Sequence, residues 1–321
     1  MVSACLLSFC FVILSLLIIL SLLIILSLLI ILSLLRRLYP AYDRSMKKTN
    51  TPQKDDAQKD DADKTVTDAS SKTLATEIMA ASPVPIDKLS PHAALAMMLD
   101  NQAGAITALT SALDQIETAG MAAYKRLSGS DMGRLIYTGA GTSARIGVQD
   151  GAELFPTFNW PRERVGFVIA GGHNALLRAV ENAEDDSIAA TKEVEKSAIG
   201  RDDVVIGLAA SGITPFTCHV LQQARKAGAL TIGIANNANT PLLDEAEYAI
   251  LLATGGEAIA GSTRLKAGTA QKICLNMISN LIMVQMGFVK DGLMVKMVPT
   301  NAKLRARKKL IDAALGRASK S

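Results

Sequence analysis

Two short loops carry the side chains best suited to chemistry. Gly139-Ala140-Gly141-Thr142-Ser143 follows the apolar run Leu135-Ile136-Tyr137, and Ala210-Ser211-Gly212-Ile213-Thr214-Pro215 follows the run from Asp203 to Ala209. Each loop sets a serine beside glycine at the start of a helical pattern, and a helix N-terminus offers unpaired N–H groups and partial positive charge to an anion. Hydroxyls add donors for the three terminal oxygens of a phosphomonoester. A dinucleotide asks for something else: bare glycine against the pyrophosphate, and an acid ending the second strand to hold the ribose. Here the second apolar run ends in Ala170-Gly171-Gly172, and Glu163 precedes that run, at its wrong end. Gly139-x-Gly141-x-x-Ala144 taken alone also fits an ordinary strand-to-helix turn with Ser143 as N-cap. The two loops together favour a phosphomonoester and disfavour a nicotinamide-dependent oxidoreductase.

Other chemistries find little support. The three histidines, His92, His173 and His219, stand at no spacing that pairs them with another metal ligand, so neither a metal site nor a Ser/His/Asp triad is expected. Of four cysteines, Cys5 and Cys10 lie in the N-terminal apolar segment and Cys218 and Cys274 in helical patterns, with no CxxC spacing; they read as reduced thiols of a cytosolic protein. Net charge is only +4 and aromatics make up 4% of the chain, which argues against nucleic acid as a partner.

The elements that must position these loops are legible as alternation. Runs at 134–138, 164–170, 203–209, 229–235 and 248–253 are short, apolar and β-rich, and helical patterns separate them. Five buried strands divided by helices predict an α/β fold, a doubly wound and mainly parallel five-stranded sheet. Ahead of it, IDKLSPHAALAMMLDNQ and the periodic stretch from Ile106 to Leu127 predict two helices, with Ser90 and Pro91 as cap and first-turn pair; helices over 264–286 and 302–316 follow the sheet. In such a sheet ligands bind beyond the carboxyl ends of the strands, where these loops lie.

Residues 1–45 are another matter. The uncharged run 5–35 repeats the hexamer SLLIIL from Ser15, Ser21 and Ser27, and it exceeds the ~20 residues that span a bilayer. Two readings stand. The run is a membrane anchor, whose flanking Arg36, Arg37, Arg44, Lys47 and Lys48 keep the rest of the chain in the cytoplasm, or it derives from repetitive DNA ahead of a true start at Met46. Residues 46–80, rich in Lys, Asp and Thr, read as a charged tail, and 81–321 as the folded domain.

The segments GAGTSARIGVQDGAELFPTF, IAGGHNALLRAVENAEDD, DVVIGLAASGITPF and GALTIGIANN resemble the N-acetylmuramic acid 6-phosphate etherases, a branch of the sugar isomerase (SIS) domain family. AGSTRLKAGTAQKICLNMIS and GLMVKMVPTNAKL carry the resemblance most specifically, and it covers residues from about Ile86 to Leu304. The resemblance implies a flavodoxin-like SIS domain acting as a lyase that removes D-lactate from a phosphorylated amino sugar during cell-wall recycling. It also implies a homodimer with no metal and no organic cofactor. By the same resemblance Glu153 of GAELFPTF and Glu184 of ENAED are the catalytic acid and base. Ser143 with Thr142, and Ser211, are the phosphate-binding hydroxyls, and Ser262, Thr263 and Lys266 are further candidates. The helix end near Glu153 suits the proton donor, which leaves Glu184 as base by elimination.

Geometry raises a question. A straight helix from Ser143 to Glu153 spans about 15 Å, more than separates a sugar's phosphate from its C3. Either the chain folds back after Glu153, or Glu153 serves the phosphate loop of a partner subunit. The chain departs from the family pattern at Ala144, at Leu154-Phe155 and at Ile213, which stands where the family has arginine. Two rivals share the fold: a non-catalytic sugar-phosphate sensor like the glucokinase regulatory protein, which the retention of both glutamates disfavours, and an aldose-ketose isomerase, which leaves the ENAED and GSTRLK blocks unexplained.

Overall fold

A computed structural model describes residues 74–78, 80, 82, 84–178, 180–299 and 302–316. The apolar repeat and most of the charged tail lie outside them. Among the described residues no helix is long and apolar enough to cross a membrane.

Two helices lead in, α1 (Pro91–Ser111) and α2 (Leu113–Ser128). Ser90 caps α1, its Oγ accepting the Ala93 N–H at 3.3 Å. The first helix is longer than the expected pair implies, running through Gly104 to Ser111. Gly104 leaves room for the stem of Lys266, whose Cδ would lie 3.0 Å from a Cβ at this position.

Alternation then follows: β1 (Leu135–Gly139), α3 (Gly141–Phe158), β2 (Val165–Ile169), α4 (Ser187–Lys196), β3 (Val204–Ala209), α5 (Pro215–Lys226), β4 (Leu230–Ala235), α6 (Pro241–Glu245) and β5 (Tyr248–Leu251). After α7 (Lys266–Gln285) come the small hairpin β6 (Val289–Lys290) and β7 (Leu293–Met294), then α8 (Ala302–Ala314).

The five main strands form one parallel sheet in the order β2-β1-β3-β4-β5. Side chains alternate between its faces. Leu135, Tyr137, Ile206, Leu208, Ile232 and Ile234 join α2 and α7 in one core, whereas Ile136, Val168, Val205 and Ala235 join α4 and α5 in the other. Because both faces are covered, β1, β3 and β4 are buried along their whole length, which is why they read as continuous apolar runs. On α7, Leu275, Ile278, Ile282 and Met283 are fully buried, each worth about 1.5–3 kcal/mol of transfer free energy.

The domain also reaches further back than residue 81. Thr76 is buried, the Gly261 N–H donates to its carbonyl at 3.2 Å, and the Ala80 N–H donates to the Glu257 carbonyl at 2.8 Å. Residues 74–78, grouped with the tail on composition, dock on the folded unit.

Candidate active site

The strand order reverses at β1. The chain leaves β1 for β2 on one side and returns to β3 on the other, so the loops after β1 and β3 flank the switch point where open α/β sheets bind ligands. Gly139 and Leu208 are register partners, which brings Ala140–Ser143 and Ala210–Thr214 out side by side. Both loops need glycine: Gly141 has φ +53° and Gly212 φ +75°, and a Cβ on Gly212 would lie 2.3 Å from Thr240 Oγ1.

Neither Ala140 nor Thr214 caps its helix with a side-chain hydrogen bond. The first-turn N–H groups of α3 therefore remain available to an anion, whereas α5 begins with Pro215, which has no N–H, and its Phe216 N–H is given to the Glu184 carbonyl. Ser211 Oγ accepts the Ile213 N–H at 3.3 Å and lies 3.5 Å from Thr214 Oγ1, so these two hydroxyls face one another at the mouth of α5. Thr214 was not singled out by sequence, although it stands at the N-cap of a Thr-Pro helix start. Ile213 is exposed beside it, an apolar side chain at the site's rim.

Ser143 is not an N-cap; its Oγ donates to Gln271 Oε1 of α7 at 2.8 Å. Thr142 packs near the start of α7, its Cγ2 3.5 Å from where a Cβ on Gly268 would stand. The start of α7 already holds an anion, because the fully buried Glu257 accepts the N–H groups of Lys266 (3.1 Å) and Ala267 (2.8 Å). Lys266 is itself buried, and its Nζ donates to the Gly256 carbonyl at 2.6 Å. Burial pulls its ammonium below the usual lysine range, only partly offset by the charge of Glu257. The GSTRLK block thus anchors α7; Thr263 accepts the Gly268 N–H at its carbonyl, and Ser262 donates its N–H to Ile259.

Glu184 is exposed in a turn, and its carbonyl accepts the Phe216 N–H at 2.9 Å, which fastens the turn to the first turn of α5. The neighbouring Asp186 is committed to capping α4, its carboxylate accepting the Ala189 N–H at 2.8 Å. Glu153 is exposed and lies within α3, which continues without interruption to Phe158. This removes both the fold-back after Glu153 and the argument from the helix end, since the dipole effect is confined to the last turn. Ser143, Ser211 and the Glu184 turn gather at one end of the sheet, while Glu153 stands ten residues along α3 from Ser143.

What fixes α3 is a second buried group. Asp150 accepts from Tyr137 Oη (2.8 Å), Asn276 Nδ2 (2.7 Å) and Ser279 Oγ (3.1 Å), tying α3 to β1 and α7. Burial pushes its carboxyl up, against the three donors that hold it down. A hollow of about 690 Å³ opens at the other end of the sheet, lined by Lys125, Arg126, Asp202 and Tyr248, away from every candidate residue. Among the described residues no group of three His, Cys, Asp or Glu could hold a metal ion.

Comparison with known proteins identifies the family. Residues 119–225 match the model of the glucokinase regulatory protein N-terminal SIS domain, and residues 182–281 that of the SIS domain. A relative from Deinococcus radiodurans named N-acetylmuramic acid 6-phosphate etherase is 49% identical over 72% of this chain and 75% of its own length. One of the same name from Listeria welshimeri is 45% identical over 75% of this chain and 80% of its own. Among solved structures, a phosphoheptose isomerase from Francisella tularensis superposes with TM-score 0.48 at 16% identity, covering 61% of this chain and 100% of that one. On the sequence relatives, this chain belongs to the N-acetylmuramic acid 6-phosphate etherase family.

Proposed function

We propose that the chain cleaves the D-lactyl ether of N-acetylmuramic acid 6-phosphate, giving N-acetylglucosamine 6-phosphate and D-lactate in amino-sugar recycling. The observation that carries this reading is the pair of hydroxyl-bearing loops side by side at the switch point, the first opening onto the uncapped start of α3, in a chain of this family that also retains Glu153 and Glu184. The phosphate lies between the two loops, in reach of the first-turn N–H groups of α3 and of the Thr142, Ser143 and Ser211 side chains. Thr214 joins them. Ser262, Thr263 and Lys266 support the site through α7.

In the open-chain sugar the C2 proton is acidic because the aldehyde is adjacent. Glu184 takes it, the C3–O bond breaks, and the electron pair leaves on the lactate oxygen, which takes a proton from Glu153. Water then adds to the unsaturated aldehyde, hydroxyl to C3 and proton to C2. No metal or organic cofactor enters this scheme.

Glu153 reaches a site in a homodimer if it serves the partner's loops. An apolar stripe on α1 supports that assembly: Leu95, Leu99 and Ile106, at spacings of four and seven, are 64%, 73% and 58% exposed. Nothing in the scheme calls for a membrane, and the reaction is read as cytoplasmic.

Solvent deuterium exchange separates the roles. Glu184→Gln should abolish both C2 exchange and lactate release, whereas Glu153→Gln should retain exchange at C2 while losing release. The opposite pattern reverses the assignment. Intact binding of the sugar phosphate with neither exchange nor release in the unsubstituted protein would favour the sensor.

A further inference from the structure

Asn236 and Asn237, in the loop after β4, and Gln271, on the inner face of α7, take no part in the proton transfers above, yet all three are buried. Their hydrogen bonds run in one direction. Asn236 Nδ2 donates to the Leu252 carbonyl at 3.1 Å and to Thr254 Oγ1 at 3.3 Å. A carbonyl can only accept, so this end of the amide is its NH2 and the other end, facing Gln271, is oxygen. Gln271 Nε2 donates to that oxygen at 3.0 Å. The far end of Gln271 is then its own oxygen, and Ser143, 2.8 Å away, gives it the only proton the hydroxyl has. Asn237 steadies the neighbouring loop, its Nδ2 donating to the carbonyl of Ala210, the residue before Ser211, at 2.9 Å.

A phosphate dianion offers acceptors alone. It gains nothing from a serine oxygen whose proton is committed elsewhere, but a sugar hydroxyl or an acetamido N–H can donate to that oxygen. We propose that Gln271 is a positioning residue that presents the Ser143 oxygen as an acceptor, so that Ser143 binds a donor group of the sugar while the phosphate is held by Thr142, the Ser211–Thr214 loop and the first-turn N–H groups of α3. This rests on the sugar-phosphate reading of the site. It reassigns one contact within it: Ser143 reads the sugar, and the phosphate is left to Thr142, the α3 N–H groups and the Ser211–Thr214 loop.

The test compares the substrate with inorganic phosphate as a competitive probe of the phosphate position. In Ser143→Ala, KM for N-acetylmuramic acid 6-phosphate should rise about tenfold, the worth of about one hydrogen bond, while the inhibition constant of inorganic phosphate stays within about twofold. Gln271→Met, of similar volume, should raise KM by a similar factor and leave phosphate inhibition as strong or stronger, because the freed hydroxyl can turn to the anion. The double variant should be no worse than either single one. Weakening of phosphate by tenfold in Ser143→Ala, or effects of the two substitutions that multiply, overturns the proposal. If Gln271→Met fails to fold, Ser143→Ala decides alone. If the unsubstituted protein releases no D-lactate, the etherase reading fails by itself, and the same phosphate comparison, made by calorimetry, still decides the role of Ser143.

Discussion

Complementation between two inactive subunits would reveal whether each site is built from two chains. Helix α3 runs unbroken from Gly141 to Phe158, so Ser143 and Glu153 are about 15 Å apart along its axis at 1.5 Å per residue. Five bonds link phosphorus to C3 of the substrate, which at about 1.5 Å each is a reach of at most about 7 Å. Glu184, by contrast, is fastened by its carbonyl to the first turn of α5, beside Ser211. On the proposed reading, one subunit's phosphate loops use their own Glu184 and another subunit's Glu153. Glu153→Gln and Glu184→Gln should each lower lactate release by a factor of about 10² to 10⁴, the usual worth of a general acid or base. A heterodimer of the two holds one site with both glutamates and one with neither, so it should recover about half the unsubstituted activity, and a random equal mixture about a quarter. The assay is D-lactate release, with the heterodimer isolated through two different affinity tags. Purified heterodimers no more active than their parents would refute the shared site.

Three further outcomes follow from the packing. Burial raises the Asp150 carboxyl, so its ionised form opposes folding, and its contribution is favourable at low pH and lost as pH rises through the folded-state value. Urea unfolding of Asp150→Asn should therefore show a stability gain over the unsubstituted protein that grows upward from about pH 4, whereas Asp150→Ala, which orphans three donors, should cost about 2–4 kcal/mol; a pH-independent Asn effect contradicts this. Gly212→Ala forces a Cβ against Thr240 at φ +75°, and should cost more than about 1 kcal/mol by thermal unfolding together with most lactate release. Burial pushes the thiols of Cys218 and Cys274 up to about 11 and about 12, so a chain begun at Met46 should resist a thiol reagent at pH 7.5 and expose both only in denaturant.

The sheet was legible because β1, β3 and β4 are buried on both faces and so read as unbroken apolar runs. The break between α1 and α2 was misplaced for a tertiary reason: Gly104 looks like punctuation in sequence but makes room for Lys266. The two serine loops announced themselves through glycine and hydroxyl spacing. Gln271 did not, although its signal was present, a polar residue among Ala267, Ala270, Cys274, Leu275 and Ile278 on a buried helix face. Asn236 and Asn237 end the segment GALTIGIANN, one of those that carry the resemblance, but only the strand order, which brings Leu252, Ala210 and α7 together, gives their amides a purpose. Glu153 shows the opposite limit: the resemblance alone singles it out, and whether the chain folds back after it was settled only by the helix, which continues to Phe158.

Ether cleavage by elimination and hydration can be checked in one incubation. Residues 46–321 are mixed with N-acetylmuramic acid 6-phosphate in water enriched in ¹⁸O, and the products are weighed by mass spectrometry. Elimination and hydration give D-lactate free of the label, because it keeps the ether oxygen, and N-acetylglucosamine 6-phosphate with ¹⁸O at C3. Label in the lactate hydroxyl would mean cleavage on the other side of the oxygen, and no lactate at all would mean that the site binds without reacting; either contradicts it.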